Sequence, residues 1–146
     1  MSGLVKNQPK TLRITSAKKE LRNMNITKNT EHMSGIELER FNKQYQGRRD
    51  NFKKIVTVDG HPLDLRLDVI NKSPTGFEWG YGGSGPRQLS AAILVDYLDD
   101  KEEARKLCAD FERIIVKKLP NQRWTLLAED IEGALIEIRG HGTFNE

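Results

Sequence analysis

The chain has 146 residues, with 24 Lys and Arg against 21 Asp and Glu, a formal charge of +3. That length fits one domain with or without a tail. No apolar run approaches the ~18–20 residues of a membrane span, and MSGLVKNQPK lacks the apolar core of a secretory leader. One cysteine excludes an intrachain disulfide and suits a reducing cytoplasm. With three scattered histidines (His32, His61, His141), it also gives no structural zinc set.

Charge divides the chain. Residues 1–50 carry six Lys and five Arg against five acids, a net of +6, whereas residues 51–146 are net acidic. The first segment is poor in aromatics, so it buries little area to offset chain entropy. Residues 1–40 are expected to be a basic, weakly ordered extension. Ser16–Arg22 could form a short helix within it. Ser34-Gly-Ile-Glu37 has the form of a capping box opening another. The extension reads either as an arm for nucleic acid or an acidic partner, or as a solvated tail.

A globular unit is expected over 41–140, followed by a flexible end at 141–146. Ile55–Val58 is β-branched, and Asp59-Gly60 is a hairpin-turn signal. Leu63, Leu65, Leu67 and Val69 then alternate with charged residues, which predicts a half-buried strand. Phe77-Glu-Trp-Gly-Tyr81 predicts another, with its three aromatics on one face. From Pro86 a helix is expected, apolar around most of its circumference and therefore central. Asp100 and Glu103 predict the start of a second helix bearing Leu107, Cys108, Phe111 and Ile114, stopped by Pro120. Trp124–Leu127 reads as a short strand. Ala128, Ile131, Leu135 and Ile138 mark a last helix ending at Gly140. Strands first and helices after predict an α+β fold: a small, mainly antiparallel sheet with about three helices on one face.

The segment Gly76-Phe-Glu-Trp-Gly-Tyr-Gly-Gly-Ser-Gly-Pro86 carries the main functional signal. Four glycines in six positions cost conformational entropy. Placed before a helix start, the amides of Gly82, Gly83 and Gly85 could cradle a phosphate, aided by the helix dipole. Ser84 offers a hydroxyl and Arg87 a charge. Trp79 and Tyr81 could stack on a planar ring. Gly80-x-Gly82-x-x-Gly85 has the spacing of a dinucleotide fingerprint but neither the βαβ context nor the later acid. A tight strand-to-helix connection is the structural alternative.

No nucleophile–base pair or metal set emerges. Cys108 lies on an apolar helical stripe, and the acids at 99–103 read as helix capping. A protein without catalytic function or cofactor is therefore expected.

The glycine segment, with Gln88-Leu89, Asp96, Leu98, Pro120, Trp124-Thr-Leu126, Asp130-Ile131 and the opening Tyr45-Gln-Gly-Arg48-Arg49, resembles domain of unknown function 6166 over about 44–138. The resemblance implies a phage or mobile-element setting in a bacterial host, and no chemistry. Arg87 departs from the smaller residue of that pattern, which favours Ser84 as a phosphate contact. The expectation is a binding protein for a phosphorylated, nucleotide-like ligand, such as a host defence signal that it sequesters. The alternative is an interaction protein that docks on a host defence protein or nucleic acid through residues 1–50. A homo-oligomer fits either.

Overall fold

The computed structural model describes residues 35–144. The expected short helix at Ser16–Arg22, with residues 1–34 of the expected basic extension, lies outside them. Gly35–Phe41 forms helix α1, as the Ser34–Glu37 pattern suggests. Four strands follow in the sheet order β3-β2-β1-β4, with β1 at Gln44–Asp50, β2 at Lys53–Val58, β3 at His61–Pro62 and β4 at Arg123–Leu127. Every pairing is antiparallel. Helices α2 (Ser84–Leu98), α3 (Lys101–Ile114) and α4 (Ala128–Phe144) complete the α+β fold.

The central strand β1 is the element that periodicity missed. Its side chains alternate, but the inward positions are Tyr45, Gly47 and Arg49, only one of them an apolar-rich residue. Gly47 is required there by a neighbour. It pairs with Trp124 across β1 and β4, and the indole lies directly over the Gly47 Cα. A methyl group at that point would penetrate the ring. Trp79 meets Trp124 edge to face at 5.7 Å, and both rings are fully buried.

Two expected strands are corrected. Asp59 and Gly60 do adopt positive φ and close the β2–β3 hairpin, but β3 ends at Pro62 and residues 63–70 are irregular. Local bonds compete with the ladder there. The Asp64 carboxylate accepts from the Arg66 amide, Arg66 takes φ 54°, and the Val69 amide donates to the Arg66 carbonyl. Leu63 and Val69 are buried while Leu67 is exposed, so the period of two is lost. Phe77–Tyr81 is not a strand either. Gly80, at φ 89°, turns the chain, so Phe77 and Trp79 enter the core and Tyr81 faces solvent.

This long connection is fastened by one side chain. Gln88 on α2 is completely buried. Its amide nitrogen donates to the Leu65 and Ile70 carbonyls at 2.7 and 2.9 Å. Its oxygen accepts from the Lys72 and Ser73 amides at 2.8 and 3.0 Å. Four backbone groups against the core are thereby satisfied without a strand partner.

The helices follow expectation more closely. Helix α2 is buried on nearly all sides and lies between the sheet, α3 and the long connection. The Asp100 side chain caps α3 by accepting from the Glu103 amide at 3.1 Å. Cys108 is buried in the core, and burial pushes its thiol up from the ordinary value. A 3-10 turn at Val116–Lys118 precedes Pro120. Helix α4 runs past the expected stop at Gly140 to Phe144, so 141–144 belong to a helix and not to an irregular end. Among the described residues, no helix is long and apolar enough to cross a membrane.

Three substitutions test this packing in urea titrations. Gly47→Ala should cost about 1–3 kcal/mol through the clash with Trp124. Gly140→Ala, which meets nothing within 4 Å, should gain up to about 1 kcal/mol. Gln88→Leu should cost about 3 kcal/mol or more, because it strands buried backbone groups.

Candidate functional site

The glycine segment leads into α2 as expected, but its four glycines answer to different causes. Gly80 is needed for positive φ, and its amide donates to the Val116 carbonyl at 3.0 Å. Gly85 is needed for close approach, since a Cβ there would sit 2.6 Å from the Glu78 Cβ. Gly82 and Gly83 meet no contact closer than 3.4 Å, so packing demands neither.

An anion does sit at the helix start, and the protein supplies it. Glu112 of α3 is 7% exposed at its side chain. One carboxylate oxygen accepts from the Gly83 amide at 2.8 Å, and the other accepts from Arg87 Nε. Gly83 is the N-cap of α2 and no side chain of the loop itself caps it. Glu112 therefore caps α2 from a neighbouring helix, where the dipole favours negative charge. Of the groups expected to hold a phosphate, the Gly83 amide and Arg87 are engaged by this carboxylate.

The aromatics are also divided. Trp79 is fully buried, donates through Nε1 to the Asn121 carbonyl at 2.9 Å, and is covered on one face by the Arg49 guanidinium at 4.5 Å. As placed, it offers no face to a ligand, so its expected stacking role is corrected. Tyr81 is 49% exposed and its ring edges Gly83. Ser84 is exposed beside it.

Glu78 bridges Arg49 at 2.9 Å and Lys54 at 2.8 Å. Burial opposes its ionisation, but the two cations prevail and hold its carboxyl below the ordinary 4.5. A second cluster ties β1 to the end of α2. Asp96 accepts from the Tyr45 hydroxyl at 2.6 Å and from Lys43 Nζ at 2.9 Å. Burial, with the Asp96 carboxylate beside it, drives the Tyr45 phenol well above its ordinary value. His61 lies exposed in β3. Among the described residues, no group of three or more His, Cys, Asp or Glu could hold a metal.

The remaining polar surface of note was not singled out from the sequence. All buried sheet residues point to the helices: Tyr45, Gly47, Val56, Trp124 and Leu126. On the opposite face Arg48 stands directly across from Arg123. Both are exposed, and among the described residues neither guanidinium forms an ion pair. Like charges directly opposed across strands are unfavourable. Only strand pairing brings them together, since 75 sequence positions separate them. A concavity of about 330 Å³ lies over this face.

The Glu78 bridges carry a pH dependence. The folded carboxyl ionises more readily than the unfolded one, so its contribution is full above the ordinary value and fades as pH falls below it. In urea titrations between about pH 6 and about pH 3, Glu78→Gln should be less stable than the wild type at the upper end. The gap should narrow toward the lower end.

A model of a family of unknown function, DUF6166, matches residues 45–137. No curated protein and no solved structure matches the chain.

Proposed function

We propose that this chain, which belongs to the DUF6166 family, is a non-enzymatic binding protein for an anionic ligand. The observation that supports this reading is the opposed pair Arg48 and Arg123, two solvent-facing charges without a counter-ion among the described residues. Sites where a local rule is broken without a compensating contact are where function is expected. Such a protein would act by holding its ligand, and sequestering a phosphorylated signal in a bacterial host of phage or mobile DNA is the activity it would suit.

The glycine loop is the second reading. Gly82 and Gly83 are not demanded by packing, and Tyr81 and Ser84 face solvent beside them. A nucleotide-like ligand seated there would displace the Glu112 carboxylate and stack on Tyr81. The third expectation, docking of a protein or nucleic acid through residues 1–50, falls mostly outside the described residues.

Thermal unfolding of the full-length protein against a panel of phosphorylated and carboxylated small molecules tests the proposal. A ligand at 100 times its dissociation constant should stabilise by about 2.7 kcal/mol. The shift should shrink as salt rises, and chromatography should recover the ligand unchanged. No shift with any member of the panel would overturn the reading, and turnover of the ligand would replace it with an enzymatic one. A shift abolished by Ser84→Ala with Tyr81→Ala would favour the loop.

A further inference from the structure

The outward sheet face has a pattern that narrows the ligand, and this inference rests on the binding reading above. Antiparallel register arranges six outward side chains as two rows across β2, β1 and β4. One row is Ile55, Arg48 and Arg123, and the other is Thr57, Gln46 and Thr125. These six side chains line the 330 Å³ concavity. Neighbouring strands lie about 4.8 Å apart, and successive rows on one face about 6.6 Å apart. The two guanidinium groups therefore reach a common point, and three polar side chains stand one row away.

We infer that Arg48 and Arg123 clasp the phosphoryl group of a small phosphomonoester, with Gln46, Thr57 and Thr125 hydrogen-bonding the body of the same molecule. Each step has a physical cause. An arginine fork matches phosphate oxygens two at a time, and two forks can neutralise a dianion. Binding it removes the repulsion between the arginines, so ligand and fold stabilise one another. The Gln and Thr side chains supply both donors and acceptors, which suits hydroxyl or amide groups and not a second phosphate. The volume is at the lower end for small-ligand sites, about 300–1,000 Å³. Trp124 borders the concavity beside Gly47, but its ring is fully buried, so among the described residues the face lacks the exposed stacking platform of a single-strand nucleic-acid surface. Two cations are also few for tracking a phosphate backbone.

The test uses the full-length protein and titration calorimetry at low salt. The probes are inorganic phosphate, a nucleoside monophosphate, the parent nucleoside and a single-stranded oligonucleotide. The monophosphate should bind more tightly than phosphate alone, and the nucleoside should not bind. Arg48→Gln and Arg123→Gln should each weaken the monophosphate at least tenfold. Both variants should keep or exceed wild-type stability, because they remove a repulsion from an exposed surface. Gln46→Ala should weaken the monophosphate and leave inorganic phosphate unchanged.

Tyr81→Ala should leave every probe unchanged. Monophosphate binding that survives both arginine variants would overturn the clasp while leaving the binding reading intact. Binding by the oligonucleotide alone would replace the small ligand with a polymer. Failure of every probe here, together with no shift across the wider panel, would overturn both.

Discussion

A single buried amide determines how this sequence can fold. Residues 63–80 cross the core without forming strand or helix, and the backbone groups that face inward need partners. Gln88 satisfies four of them from the most buried helix of the protein. With the connection fixed, Phe77 and Trp79 reach the core, and Trp79 meets Trp124. Trp124 in turn lies over Gly47 of the central strand. The long connection, the helix layer and the sheet are thus linked through contacts that each depend on the last. Leu63 and Val69 are buried by the same arrangement, so apolar burial and backbone satisfaction reinforce each other.

The helices were legible because their signals are local. Apolar spacing and an Asp100 cap are properties of neighbouring residues, and the structure places both as the sequence suggests. The sheet was legible only in part. Trp124–Leu127 and the Asp59-Gly60 turn carry strand and turn chemistry of their own. Strand β1 does not, since its inward Gly47 makes sense only beneath an indole from residue 124. The alternating leucines of 63–69 misled for the opposite reason. Period-two patterning is a surface property of a paired strand, and here Asp64 and Arg66 bend the chain before any partner is found.

The candidate site shows the same division. The glycine segment was legible as a special backbone before a helix, and it is one. That the helix start receives its negative charge from Glu112 could not be read, because Glu112 is nearly thirty positions from Gly83 and sits in an ordinary helical pattern. The fate of Trp79 was hidden for a related reason. Its flanking residues look like a ligand platform, yet Arg49 and Asn121 close around the ring from distant elements. The Arg48–Arg123 pair had no sequence signal beyond two isolated cations, since only antiparallel register makes them neighbours. In each case the information lies in long-range contacts that one sequence does not display.

The capping of α2 by a residue of α3 has a consequence for how the protein opens. A cap drawn from a helix's own first turn lets that end fray and reseal by itself. Here the Gly83 amide and Arg87 lose their partner only when α3 moves away. The first turn of α2 therefore belongs to the same cooperative unit as α3, although the two are joined through an exposed pair of residues at Asp99 and Asp100. Amide protons at that turn should therefore exchange with solvent through the opening of the helix pair, and not through local breathing of a helix end.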